Sequence, residues 1–434
     1  MATVGLYTLG CKVSQYETEA IREGFLDVGI ESRPFEEKND IYVINTCTVT
    51  AESDRKSRQI IRRAIKKNPD AIVAVVGCYT QRTPDEVAAI DGVDIVLGTD
   101  AKMTVIPLVQ ELLLTGRGKR TVSTTDVSVA NFEPMSIRTA PRTRAYVKIE
   151  DGCESKCTYC AISDARGRVR SKPREDVIAE VESLAASGIR EIVLTGIETA
   201  SWGKDLEQGD FGDLLCAVDA LPGIGRVRLG SLDPAQIKPK FVEKIASLPS
   251  LAPHFHLSLQ SGSSRVLAAM KRKYNAEQAM AALTLLREHI PGVQFTTDVI
   301  VGFPGETEED FEQTLDFIRK ARFLQIHAFP YSGRKNTPAI RLPDQVPMQV
   351  RRERLHRLGQ VQKDVQAQIF AEILEQSPCK QVLFETDYDG YSVGHSPEFL
   401  EVKVPTDKKL CGTVHTVRLT HATDAGCFEG NLID

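Results

Sequence analysis

The chain has 434 residues, enough for two to four domains with cores of their own, so neither disulfides nor metals are needed merely to keep it folded. Its 42% hydrophobic and 26% charged residues exclude disorder, collagen-like repeats and low complexity, and no apolar run reaches the ~18–20 residues of a membrane span. A net charge of −5 leaves nucleic-acid binding to local basic patches, while ten cysteines behind an opening segment without secretory character predict a cytoplasmic chain whose thiols ligate metal rather than pair.

In chain order, Val4–Leu9, Ile41–Asn45 and Ile72–Gly77 read as buried strands. Helical periodicity over Gln15–Val28 and Ala51–Lys67 lies between them, the alternation of an open parallel α/β sheet. Ser14 and Glu17 predict a capping box for the first helix. Thr83-Pro84-Asp85-Glu86 opens another, with Pro in the first turn where its missing N–H is harmless. The Thr-, Ser-, Arg- and Pro-rich stretch Gly116–Ala140 reads as a linker, which gives an N-terminal domain over 1–118 and a connection over 119–140.

Six strand-then-helix units follow between Thr143 and Pro330. Their strands are Arg144–Ile149, Glu191–Thr195, Arg226–Gly230, His254–Leu259, Gln294–Val301 and Gln325–Phe329. A closed eight-unit barrel takes ~250 residues, so this shorter stretch predicts a partial (β/α)6 barrel. With the long polar helix Gln345–Leu374 it forms a core domain over 141–374. Beyond Ser377-Pro378 the pattern turns to short strands, Gln381–Glu385, Phe399–Val404 and Thr413–Leu419. They predict a small β-barrel over 375–434, of the kind used on nucleic acids.

Cys153, Cys157 and Cys160 fall just after the first barrel strand. Three thiolates that close together suit three corners of an iron–sulfur cluster and leave a fourth iron open. A structural zinc site would want a fourth ligand nearby, and no Cys or His follows until Cys216. Cys11, Cys47 and Cys78 each end one of the three early strands, in YTLGC, VINTC and VVGC. Ends of parallel strands share one edge, so these three can meet at a second metal centre; small buried residues are the alternative. Cys216, Cys379, Cys411 and Cys427 read as ordinary packing. Arg166, Arg168, Arg170, Lys172 and Arg174 alternate and would share one face of an extended segment; Arg55, Arg58, Arg62 and Lys66 share one helical stripe. Both are candidate RNA contacts, with solvated surface as the alternative. Ser258, Gln260 and Asp298 end apolar strands at the barrel mouth, where they could bond ribose or methionyl groups, or serve as caps.

The spacing Cys153-x3-Cys157-x-Tyr159-Cys160 resembles the signature of radical S-adenosylmethionine enzymes. TLGCKVSQYETE, NTCTVT, VGCYTQ, ARGRVRS, LSLQSGS, KRKY and DVIVGFPGETEEDF resemble the motifs of the methylthiotransferases within that group, and the C-terminal barrel is similar to their TRAM domain. Ser14 and Ala161-Ile162-Ser163-Asp164 depart from the pattern. Leu9-Gly10-Cys11-Lys12-Val13 with Gln15-Tyr16-Glu17 resembles the branch that thiomethylates C2 of N6-threonylcarbamoyladenosine at position 37 of the tRNA anticodon loop. Sister branches act on N6-isopentenyladenosine in tRNA or on a ribosomal-protein aspartate.

The resemblance implies two [4Fe-4S] clusters, one on Cys153, Cys157 and Cys160 and one on Cys11, Cys47 and Cys78. It implies S-adenosylmethionine as both methyl donor and radical source, with Tyr159, Gly196, Ser258, Gln260, Asp298 and the loop Gly302-Phe303-Pro304-Gly305 around it. The partners implied are tRNA, a low-potential electron donor and a sulfur source, the last two unidentified, and no membrane. A threonylcarbamoyl carboxylate demands a cation, for which Lys12 and the arginines near it are the candidates. The rival class is a non-catalytic RNA-binding protein with structural zinc, which iron and sulfide analysis would distinguish.

Overall fold

Ile41–Thr46 and Ile72–Gly77 are buried at every residue, as β-branched runs covered on both faces are. In the computed structural model, which describes residues 2–140, 143–376 and 378–433, they lie inside a six-stranded parallel sheet. Its order is Glu31–Arg33, Thr3–Thr8, Ile41–Thr46, Ile72–Gly77, Ile95–Leu97 and Thr121–Ser123. Alternate residues feed two cores. Val43, Ala74 and Val76 pack with Ile21 and Phe25 of one helix, and Tyr42, Ile44 and Val75 pack with Ile61 and Ala64 of another.

Two local expectations are corrected. The first helix is Lys12–Asp27 with Cys11 at its N-cap, so Ser14 and Glu17 lie inside the helix and form no capping box. Glu17 is instead fully buried among cations, an environment no local pattern announces. The polar stretch read as a linker is no free tether. Thr121–Ser123 is the sixth strand, and Met135 and Ile137 join the core. There the Tyr16 hydroxyl donates to the Met135 carbonyl at 2.7 Å.

The core is the expected partial barrel. Arg144–Lys148, Glu191–Thr195 and Arg226–Leu229 form one parallel sheet. Arg226–Leu229 runs on into Ser231–Leu232, which opens a second sheet with His254–Gln260, Gln294–Val301 and Gln325–Pro330. The helix Met348–Gln376 buries Leu358, Val361, Val365 and Ile369, a helical stripe. That stripe packs between core residues such as Val299 and the C-terminal barrel residues Val402 and Phe428. The C-terminal barrel closes in the order Cys379–Tyr388, Tyr391–His395, Glu401–Pro405, Phe428–Leu432 and Val414–Ala422. Ser377, where the sequence pattern changes, lies outside the described residues. Among the described residues no helix is long and apolar enough to cross a membrane.

A loop of the small barrel is seated against the N-terminal ends of the core strands. Arg144, Glu191 and Arg226 stand in register there, and Glu191 accepts from Arg226 and Arg228 at 3.0 Å each. Arg226 also donates to the His395 carbonyl at 3.3 Å, and Arg228 to Pro397 at 3.1 Å. Phe399, in the left-handed region at φ 72°, stacks on His254 and His395 with ring centroids 4.6 Å apart in each case.

Candidate metal centres

Cys11, Cys47 and Cys78 follow three neighbouring strands at one edge of the N-terminal sheet. Glycine makes their approach possible. At Gly10 (φ 117°) a Cβ would lie 3.2 Å from that of Cys47, and at Gly77 (φ 109°) it would lie 2.7 Å from the Thr46 carbonyl oxygen. Burial pushes the Cys47 thiol up to about 11, with Cys78 and Cys11 adding to the shift, and burial raises Cys78 as well. The Val49 N–H donates to Cys47 Sγ at 3.5 Å, and Arg166 Nε donates to Cys78 Sγ at 3.2 Å.

The second set repeats the arrangement. Ser155 N–H donates to Cys153 Sγ at 3.4 Å, Ile162 N–H to Cys160 Sγ at 3.4 Å, and Arg272 Nη1 to Cys157 Sγ at 3.3 Å. Burial pushes Cys153 up to about 12 and Cys160 to about 11. A ligating sulfur is a thiolate, and donors aimed at sulfur stabilise that form. All six thiols are free. Each set offers three sulfurs, all of the second and two of the first with an N–H on them, and Cys11 Sγ lies 3.8 Å from the Ser14 hydroxyl. Three such sulfurs fit an iron–sulfur cluster with one corner open.

The two sets are brought together because the sheet edge docks on the barrel mouth. Thr99 donates to the Ala165 carbonyl at 2.7 Å, Arg334 to the Thr48 hydroxyl at 2.8 Å, and Arg82 to the Lys335 carbonyl at 2.7 Å. Buried charges join the two parts. Glu17 meets Arg166 at 2.5 Å, Lys102 at 2.6 Å and Lys148 at 3.0 Å. Asp151 meets Lys148 at 2.6 Å, Arg166 at 3.1 Å and Arg170 at 3.4 Å.

This network corrects the RNA face expected over Arg166–Arg174. Arg166, Arg170 and Lys172 are buried: Arg166 ends the short helix Ile162–Arg166 and reaches Glu17, Arg170 meets Asp151, and Lys172 meets Glu180. Arg174 is half-buried, and only Arg168 of the five is exposed. On the helix Ala51–Lys67, Arg62 and Lys66 are exposed, while Arg55 pairs with Glu52 and Arg58 donates to the Tyr79 hydroxyl. Lys172 ion-pairs with buried Glu180 and donates to Met135 at 2.8 Å. Lys172→Met is therefore expected to cost about 3–5 kcal/mol of stability in denaturant titrations. The salt dependence of tRNA binding should stay unchanged, and a flatter slope would return Lys172 to the RNA face.

Around the second set, Tyr159 meets Phe303 edge-on at 6.4 Å, which brings the Gly302-Phe303-Pro304-Gly305 loop beside the triplet. Gly196 is packed so tightly that a Cβ would lie 2.4 Å from Glu150 Oε2. Gln260 ends its strand in the left-handed region at φ 70°, the kind of strain that gathers at working sites. The Ser258 carbonyl accepts from Arg272 at 3.0 Å and from the Tyr274 hydroxyl at 2.7 Å. Asp298 Oδ2 lies 3.3 Å from His256 Nε2, and His327 completes a group whose polar atoms lie within 4.8 Å of one another. The sequence reading missed His256, His327 and the placement of Arg272 on Cys157. The alternation of His254, His256 and Ser258 along one strand was the available signal. Cys216, Cys379 and Cys411 are exposed rather than packed, and Cys427 is buried as expected.

Residues 147–318 match the Radical SAM superfamily, and residues 3–98 match Uncharacterized protein family UPF0004. A Bacillus subtilis (strain 168) protein named threonylcarbamoyladenosine tRNA methylthiotransferase MtaB is 41% identical over 97% of this chain and 94% of its own length. The chain belongs to the radical S-adenosylmethionine methylthiotransferase family. This methylthiotransferase is also 36% identical to the MtaB of Thermotoga maritima, over 99% of this chain and 97% of that one. It is 34% identical to the tRNA-2-methylthio-N(6)-dimethylallyladenosine synthase of Moorella thermoacetica, over 100% and 98%. Its fold is shared by the radical S-adenosylmethionine methyltransferase TsrM from Kitasatospora setae, with a TM-score of 0.55 at 17% identity, covering 76% of this chain and 75% of that one. The methylthiotransferase uses S-adenosylmethionine and an iron–sulfur cluster.

Proposed function

We propose that the enzyme thiomethylates C2 of N6-threonylcarbamoyladenosine at position 37 of the tRNA anticodon loop. It does so with two [4Fe-4S] clusters, on Cys153, Cys157 and Cys160 and on Cys11, Cys47 and Cys78. The observation that carries the substrate is the 41% identity, over nearly the whole chain, with a protein named for that reaction, against 34% for a relative named for dimethylallyladenosine. The charged and imidazole groups of the barrel lumen, His256, Asp298, His327 and Lys12, support it, since they suit a carboxylate and a urea-like linkage better than a greasy branched tail.

When bound, the clusters and S-adenosylmethionine supply the radical and the thiomethyl group that an unactivated aryl C–H bond requires. The chain's own residues hold and shield. Arg166 and Arg272 each hold one thiolate, and Tyr159, Gly196, Ser258, Gln260 and Asp298 line the cofactor side of the chamber. The buried ion pairs around Glu17 fix the two cysteine sets relative to each other and keep water from between them. A loop base reaches such a chamber by leaving its stack. Residues 1–118 form the N-terminal domain, to whose sheet Thr121–Ser123 adds a strand, 141–374 the radical core and 375–434 a TRAM-like barrel. A low-potential electron donor and a sulfur source complete the reaction in the cytoplasm.

The test is an assay on paired tRNAs carrying either modification, with the thiomethylated nucleoside measured by mass spectrometry. Turnover of the threonylcarbamoyl tRNA should exceed that of the isopentenyl tRNA by a factor on the order of 100 or more. Comparable turnover, or reaction of the isopentenyl tRNA alone, would place the enzyme in a sister branch.

A further inference from the structure

We infer that Lys12 is the counter-ion for the carboxylate of the threonylcarbamoyl group, a role that rests on the substrate reading above. The other cations at the lumen are already engaged, Arg272 by Cys157 and by Asp233 at 2.8 Å. Arg144 ion-pairs with Glu191 at 3.4 Å and with Glu385. Arg226 and Arg228 both hold Glu191 and carbonyl oxygens of the C-terminal barrel. Lys148 lies between Glu17 and Asp151. Lys12 differs from all of these. Among the described residues it makes no hydrogen bond and no ion pair, although it is half-buried.

Its position suits the task. Lys12 opens the first helix directly after Cys11, and its electrostatic neighbours are Arg228, Arg144, Asp298 and Cys11. His254 and His327 feel its charge as well. The helix that Lys12 opens packs against the core strand Arg144–Lys148, so Lys12 lies where the sheet edge carrying Cys11 meets the barrel. Among the described residues, Arg144, Arg226 and Arg228 share the carboxylates Glu191 and Glu385. Asp298 is the carboxylate whose charge reaches Lys12, but it lies beside His256 and beyond ion-pair distance of the ammonium. An ammonium with three donors taken partly out of water needs an anion. The threonylcarbamoyl group brings a carboxylate to the chamber on the reacting base itself. Backbone phosphate and the methionyl carboxylate share that chemistry, so the test must vary the base carboxylate alone.

Anticodon stem-loop oligonucleotides carrying the threonylcarbamoyl acid or its methyl ester do this, with every phosphate unchanged. The readout is the dissociation constant for the holoenzyme. The wild type should bind the acid about 10- to 100-fold more tightly than the ester, the range of a charged hydrogen bond. Lys12→Met should bind both as weakly as the wild type binds the ester, and Lys12→Arg should keep the preference. Equal binding of acid and ester by the wild type, or a surviving preference in Lys12→Met, overturns the inference. If Lys12→Met loses iron, Lys12→Gln and the wild-type pair decide the matter. Product analysis separates the two levels. A wild type that thiomethylates only isopentenyl RNA refutes the substrate reading and the role of Lys12 with it. One that thiomethylates threonylcarbamoyl RNA yet binds acid and ester alike refutes the role of Lys12 alone.

Discussion

Replacing Cys153, Cys157 and Cys160 together by Ala is expected to remove about half of the iron and all cleavage of S-adenosylmethionine. The same replacement at Cys11, Cys47 and Cys78 should also remove about half of the iron. It should abolish thiomethylation yet leave reductive cleavage to 5′-deoxyadenosine intact. The asymmetry follows from the two addresses, one on the barrel whose loops surround the cofactor and one on the edge of a separate sheet. No spare thiol can substitute, because Cys216, Cys379 and Cys411 are exposed elsewhere and Cys427 is buried in the C-terminal barrel. Iron analysis of anaerobically purified protein and chromatography of the cleavage product check both arms. Full iron in either variant would refute two separate clusters.

Glu17→Gln is expected to destabilise the protein by about 3–5 kcal/mol, the range for breaking a buried ion pair from one side. The carboxylate is fully buried and meets Arg166, Lys102 and Lys148, which hold it well below the usual carboxylate range against the opposing effect of burial. Glutamine would keep the shape and remove the charge. Arg166 and Lys148 would then share Asp151 with Arg170, Lys102 would lose the carboxylate it contacts, and the N-terminal sheet would lose an electrostatic tie to the barrel mouth. Denaturant titration reads the change directly. A loss within the ~0.5 kcal/mol expected of an ordinary surface substitution would show that the cations are neutralised in another way.

What could be read from the sequence was what repeats or what lies at fixed spacing. Ile72–Gly77, Glu191–Thr195 and Gln294–Val301 were legible to the residue, because β-branched residues make up most of each. The strands Glu31–Arg33, Ile95–Leu97 and Thr121–Ser123 were not, since three residues carry no period. The cysteine sets were visible from strand ends and spacing. The fate of Arg166, Arg170 and Lys172 was not, because alternation places residues on a face without saying whether that face meets solvent. The carboxylates that draw these cations inward come from as far along the chain as Glu17. The idle amine of Lys12 was equally hidden, as only the completed lumen reveals which cations have partners.

The seating of the 396–399 loop against the lower ends of the core strands sets a length scale. The cysteines lie at the opposite ends of those strands, and strands of this length span roughly 20 Å at ~3.3 Å per residue. Under the proposed function, a tRNA held by the small barrel would have to run along the outside of the core for about that distance to present a base at the cysteines. That journey is longer than one nucleotide can make and close to the height of a hairpin stem. The footprint on the enzyme is then the outline of a folded RNA, and a short single strand of the right sequence would reach only one of its two ends.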